Sequence, residues 1–284
     1  YPRYTGIRRT GRGGLVASPP MATELRELAS VDGQITPTGS ATVPLKDDGL
    51  YRGDGAFEVI RLYDGTPFAL VDHLDRLERS AAAIELEFDR VALETEIEAL
   101  LTELGAADGQ LRLIVTRGGR RLAMTEPIPA HADTVSVATV TYCPTVILNG
   151  VKSLSYAANM QATRLAKAQG ADEAVLVQPD GVVLEPPTSA IFWVSPQGKL
   201  RTPALDNGVL ESITRDRLVR ALDVEEGAWP VADLRAAKEA FLASTTREIQ
   251  AVATIDGTDL PEAPGPRTRE AHDAFAATLG RELP

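Results

Sequence analysis

The sequence predicts an α/β protein of two domains, a smaller N-terminal α+β domain over residues 21–143 and a larger C-terminal α/β domain over 151–284. Three observations lead there. Before residue 143 the alternating apolar runs come in hairpin pairs around two helical stretches. After 151 strands and helices mix too irregularly for a plain doubly wound sheet, and no glycine-rich strand–turn–helix fingerprint occurs. Between the halves, "PTVILNG" (144–150) carries a proline and an Asn-Gly turn and is the candidate interdomain crossing.

The elements follow in order. Residues 1–20, with four arginines, four glycines and no acid, lack the apolar stretch of a secretory signal. They read as a disordered leader or an artificial extension, with Met21 a plausible native start. "QITPTGSATVPL" predicts a hairpin turning at Thr-Gly. "GAFEVIRLYDGTPFALV" predicts two strands joined at Asp64-Gly65, a type I′ signal. "DHLDRLERSAAAIEL" predicts a helix capped by Asp72, with Leu74, Leu77 and Ala81 on one stripe. A second amphipathic helix over 91–104 and strands in "QLRLIVTRGG" and "DTVSVATVTYC" complete this half. The second half predicts a helix over 156–169, strands at 173–178, 182–185 and 190–195, a helix from about Thr214, another near 232–241, a strand, and a last helix near 266–280.

Composition bounds the chemistry. The chain has 284 residues, 44% of them hydrophobic, enough for a full core. A net charge of −11 disfavours a nucleic-acid surface, and no apolar run reaches the length of a membrane span. The single cysteine, Cys143, excludes an internal disulfide and fits a reducing cytoplasm. The three histidines, His73, His131 and His272, are too scattered for a histidine-built metal site.

Only five of the 29 basic residues are lysines. Lys46 in "LKDDG", Lys199 in "QGKL", Lys238 in "AAKEAF" and Lys167 near a helix end all read as solvated. Lys152 in "VKSLSY" stands at the domain junction among apolar residues and small hydroxyls. Partial burial there lowers an amine's pKa and makes it a nucleophile toward carbonyls. Downstream, Glu185 is the one acid between two apolar strands, and a buried carboxylate needs a cationic or protonated partner. Ser212-Ile213-Thr214 stands where a helix begins, and free amides with a hydroxyl make a phosphate cradle. Ser244 and Thr245 follow a buried strand and offer more donors of the same kind.

This ordered series, with "RGDGAFEVIRLYDGTPFALVDHLDRLERSA" upstream, resembles the fold type IV, class IV pyridoxal-phosphate enzymes. That family includes D-amino-acid, branched-chain and (R)-amine aminotransferases and aminodeoxychorismate lyase. The resemblance spans nearly all of 30–260. It implies pyridoxal 5′-phosphate bound as a Schiff base on Lys152, an active site between the domains, and a homodimer whose loops complete one another's sites. Arg76 matches the family's phosphate-gripping arginine and Glu185 the acid that keeps the pyridine nitrogen protonated. Tyr156 matches a residue beside the ring, and Leu210 one on the ring's face. Phe57, in the upstream signature, is assigned to the substrate.

The departures concern the substrate. "EPPTSA" (185–190) stands where the family usually has Glu-Gly-Ser-Ser-Ser/Thr-Asn, so two backbone donors are lost to Pro186 and Pro187, leaving Thr188 and Ser189. "LESIT" replaces the commoner Leu-Pro-Gly-Ile-Thr. The arginine–x–histidine pair that D-amino-acid aminotransferases place after "VTRG" is missing from "VTRGGRRLAMTEP". Arg52, Arg120 and Arg121 are the candidates for the substrate carboxylate. The expected reaction is transamination between D-amino acids and 2-oxo acids, with aminodeoxychorismate lyase and (R)-amine aminotransferase as alternatives.

Overall fold

A computed structural model describes residues 25–283; the expected leader over 1–20 and the start at Met21 lie outside them. Two sheets, each with its own helices, meet along a cleft.

The first sheet opens with β1 (Leu28–Val31) and β2 (Gln34–Pro37). Their turn is Asp32-Gly33, at φ 50° and 90°, and the expected Thr-Gly turn is instead part of a short 3₁₀ segment. The reason is steric: a type I′ turn needs two positive φ values, which Asp-Gly supplies. A short helix α1 (Asp48–Arg52) leads to β3 (Gly55–Tyr63), which turns at Asp64-Gly65 into the two-residue β4 (Thr66–Pro67). Then come α2 (Leu70–Ala83), α3 (Arg90–Leu104), β5 (Gly109–Thr116) and β6 (Arg121–Glu126), the last unforeseen. Asp72 does not cap α2. The chain enters the helix through Ala69 at φ 54°, because Phe68 is drawn into the C-terminal core, and Asp72 turns to pair with Arg217 at 2.7 Å. The sheet is antiparallel throughout, in the order β2-β1-β6-β5-β3-β4. One face buries Ile60, Leu62, Leu111 and Leu113 against Leu74, Leu77, Leu93 and Leu100 of the helices.

The second sheet begins with β7 (Thr134–Thr141), α4 (Ala157–Ala168), β8 (Glu173–Val177) and β9 (Ala190–Val194). It continues with β10 (Leu200–Pro203), α5 (Ile213–Ala221), β11 (Val224–Gly227), α6 (Val231–Arg235), β12 (Ala240–Ser244), β13 (Glu248–Ile255), β14 (Thr258–Asp259) and α7 (Pro266–Glu282). The order is β11-β10-β9-β12-β13-β7-β8, with β14 on β13, and pairing is mixed. β7, counted above with the first half, pairs parallel to β13 and β8, so the chain changes sheets at 127–133 rather than at 144–150.

Two further expectations fail. The helix expected near 232–241 ends at Arg235, because Phe241 and Leu242 are wholly buried in the central strand β12, and burial overrides local propensity. Residues 182–185 make only isolated bridges at Val182 and Val183, and Glu185 leaves the sheet line for the cleft.

Candidate active site

Lys152 is held from both sides of the cleft. The segment 152–154 docks on the open edge of β3: the Phe57 amide donates to the Lys152 carbonyl at 3.0 Å and the Leu154 amide to the Gly55 carbonyl at 2.9 Å. Gly55 permits this approach, since a Cβ there would lie 2.5 Å from the Val115 carbonyl and 2.7 Å from Leu154. From α2, the Ser80 hydroxyl accepts from the Lys152 amide at 3.2 Å. The amine Nζ lies 4.4 Å from the centroid of the Phe57 ring. Burial, and then the charge of Arg76, push it down to about 8, against the opposing pull of Glu58 and Glu185. A fraction of this amine is therefore free base at neutral pH, which a nucleophile or proton carrier requires.

The cavity around it holds about 570 Å³. Glu185 faces it, with one oxygen accepting from the Leu210 amide at 2.7 Å. Burial raises this carboxyl to about 7 despite that bond. Tyr156 stands edge-to-face with Phe57 at 5.4 Å and donates its hydroxyl to the Pro187 carbonyl. Leu210 lines the wall. Ser189 is buried with an unbonded hydroxyl, while Thr188 beside it is exposed on the rim.

At the other end, Ser212 caps α5, its hydroxyl accepting from the Arg215 amide at 3.3 Å. The next two amides, of Ile213 and Thr214, are the first of the helix. Neither side chain lines the cavity: Thr214 is buried, and Ile213 borders a neighbouring charged groove. Ser244 and Thr245 reach the cavity from the end of β12. Arg76 is on its wall too, but its partner is not Asp72. Its Nε and Nη2 each donate to Glu58 at 2.7 Å, and Nη1 donates to the Glu211 carbonyl at 2.8 Å.

None of the three arginines expected at the substrate carboxylate reaches this cavity. Arg52 ends α1 with its side chain 76% exposed, 3.7 Å from Asp48. Arg120 pairs with Asp32 at 2.5 Å and Arg121 with Glu96 at 2.7 Å, so both tie the β5–β6 hairpin to its neighbours. The cavity instead holds Arg112. It alternates along β5 with the core residues Leu111 and Leu113, so the strand period turns it to the opposite face, a signal the sequence carried. Glu58 was also legible: it shares the core-facing register of Ala56, Ile60 and Leu62 on β3, where a carboxylate needs a reason.

The sequence profile described as "Amino-transferase class IV" matches residues 55–255. The chain belongs to the class IV aminotransferase family. It is 33% identical to a D-alanine aminotransferase of Bacillus licheniformis over 87% of this chain and 95% of that one. It is 31% identical to a bifunctional aminodeoxychorismate lyase / D-amino acid transaminase of Mycobacterium tuberculosis, covering 84% and 94%. Its fold matches a branched-chain aminotransferase of Thermoproteus uzoniensis, solved with norvaline, at a TM-score of 0.80 and 28% identity, covering 90% and 96%. This class IV aminotransferase thus has the fold type IV architecture and uses pyridoxal 5′-phosphate.

The residues present fit that cofactor. Glu185 has a carboxylate too enclosed to ionise readily without a partner, and a protonated pyridine nitrogen is such a partner. The unbonded Ser189 hydroxyl and the first amides of α5 are donors waiting for an acceptor. Lys152 supplies an amine of lowered proton affinity between them.

Proposed function

We propose that this aminotransferase exchanges amino groups between D-amino acids and 2-oxo acids, as a homodimer. Arg112 carries the reading: it is the cation on the cavity wall that a substrate carboxylate meets. Its Nε and Nη2 bond to Glu126, leaving Nη1 unengaged among the described residues. Gln110 joins it from the same strand face, so this wall suits a polar amino acid better than a branched aliphatic one. The near full-length likeness to a D-alanine aminotransferase supports the chirality.

Bound pyridoxal phosphate supplies the carbonyl that takes up the amino group and the ring that draws electrons from it. The chain supplies the rest. Lys152 Nζ holds the cofactor, and once released takes the substrate's Cα proton and returns it to the cofactor side, as base and then acid. Glu185 keeps the ring nitrogen protonated. Arg76, Ser212, the amides of Ile213 and Thr214, Ser244, Thr245 and Ser189 hold the phosphate end, and Thr188 stands at the rim. Leu210 packs on the ring, while Phe57 and Tyr156 wall off water on the substrate side.

The homodimer is supported by exposed apolar surface. Leu45, Leu50 and Tyr51 around α1, and Val146 and Ile147 on the cavity's 144–150 rim, are 62–84% exposed. A second copy covering them brings Arg52, on α1, to the neighbouring site.

The deciding experiment mixes the yellow protein with D-alanine, L-leucine or (R)-1-phenylethylamine and follows the visible cofactor band. D-Alanine should bleach it and 2-oxoglutarate restore it. Bleaching by L-leucine alone would make this a branched-chain enzyme. Pyruvate release from aminodeoxychorismate with no bleaching by D-alanine would favour the lyase, a reading encouraged by the bifunctional relative.

A further inference from the structure

Behind Lys152 lies an ion cluster that none of the roles above uses. Glu58 is fully buried on β3, and its carboxylate receives Arg76 Nε and Nη2, each at 2.7 Å, and His73 Nδ1 at 2.8 Å. His73 is equally buried, with Nε2 unbonded. Three donors on one buried carboxylate, two from a single guanidinium, fix that guanidinium's plane. Of its five N–H groups, Glu58 takes two and the Glu211 carbonyl one, leaving one each on Nη1 and Nη2 for an anion. The residue before Glu58 in sequence is Phe57, whose amide holds the Lys152 carbonyl. One stretch of strand therefore places the acid, the arginine and the lysine together.

We propose that Glu58 is a positioning residue for both halves of the site. It aims the free edge of Arg76 at the cofactor phosphate, and it supplies the buried negative charge that keeps the Lys152 nitrogen protonated near neutral pH. The groups facing that nitrogen are Glu58 from β3, His73 and Arg76 from α2, Arg112 from β5 and Glu185 from the loop before β9. Arg76 and Arg112 oppose its proton, whereas Glu58 and Glu185 favour it. His73 is neutral, because burial pushes its imidazole down. Removing the charge of Glu58 leaves Arg76 unopposed beside the lysine.

The test uses holoenzyme and two readouts that need no turnover. In Glu58→Gln the pH midpoint of the visible band of the lysine-bound cofactor should fall by about one unit. Pyridoxal phosphate should wash out roughly tenfold faster, while pyridoxal, which lacks the phosphate, should dissociate at the parental rate. Glu58→Asp keeps the charge but shortens the reach. It should hold the midpoint near the parental value yet lose phosphate retention, and it serves too if the glutamine variant fails to fold. His73→Asn, which keeps a donor for Glu58, should change neither. An unchanged midpoint and unchanged retention in Glu58→Gln, with only a lower melting temperature, would reduce Glu58 to a structural ion pair. A midpoint in Glu58→Asp as low as in Glu58→Gln would overturn the charge role.

Discussion

The amide of Phe57 donates to the carbonyl of Lys152 at 3.0 Å, which makes the amine-bearing residue a register position of the N-terminal sheet. The lysine belongs by sequence to the loop before α4, yet its backbone is set by β3 and by Ser80 of α2. The reactive nitrogen is thus anchored to one domain while Glu185 reaches it from the other.

Lys152→Ala should abolish transamination and prevent borohydride from fixing the cofactor to the chain; peptide mapping of the reduced protein checks the attachment point. Ser80→Ala should leave attachment intact and lower turnover modestly. It removes one neutral hydrogen bond, worth about 1 kcal/mol, that orients the lysine backbone. Label on a lysine other than Lys152 would overturn the assignment.

Arg112→Ala should raise KM for D-alanine at least about tenfold, the loss of one charge-assisted pair. It should scarcely touch turnover of (R)-1-phenylethylamine, which has no carboxylate. Arg120→Ala and Arg121→Ala remove partly exposed ion pairs, so each should cost at most about 1 kcal/mol of stability, read by urea denaturation. A larger KM effect from Arg120 or Arg121 than from Arg112 would return the carboxylate to the hairpin tip.

Stripped of cofactor, the protein should lose stability as pH rises from about 4.5 toward 7. Glu185 has its folded pKa raised from 4.5 to about 7, so over that window the folded chain retains a proton that the unfolded chain has released. The contribution is at most about 3 kcal/mol and is fully present only below the unfolded pKa. Glu185→Gln should flatten this slope in urea midpoints measured at pH 5 and 7.5. With cofactor bound, the same variant should keep pyridoxal phosphate but slow proton transfer, because the ring draws electrons less strongly. A stripped parent whose midpoint does not move between the two pH values would argue against an enclosed Glu185.

Arg52→Ala should keep its yellow colour and lose turnover of D-alanine if Arg52 acts across a dimer. Mixing unfolded Arg52→Ala and Lys152→Ala chains and refolding them together should then restore function to about a quarter of the sites, the share expected of random pairing in a two-fold dimer. No recovery, with sedimentation showing a dimer, would place Arg52 outside the partner's site.

How much of this was legible in one dimension follows the range of the forces involved. The Asp64-Gly65 hairpin, the helices over 90–104 and 266–282, and Ser212 as the cap of α5 were readable, because turn sterics, helical period and capping act within a few residues. The sequence by itself also determined the family, through the ordered residues Arg76, Lys152, Glu185 and Ser212-Ile213-Thr214. The rest was decided by partners distant along the chain. β12 is a strand because β9 and β13 bury it on both sides, against the helix expected near it. Arg76 turns from Asp72, four residues away, to Glu58, which β3 sets in the core beneath α2. Arg120 and Arg121 look available in "VTRGGRRL", but Asp32 and Glu96 claim them, and Arg112, hidden within a strand, faces the cavity. Spacing along the chain settles which faces a residue can present; which charge waits opposite is settled only when the sheets close on one another.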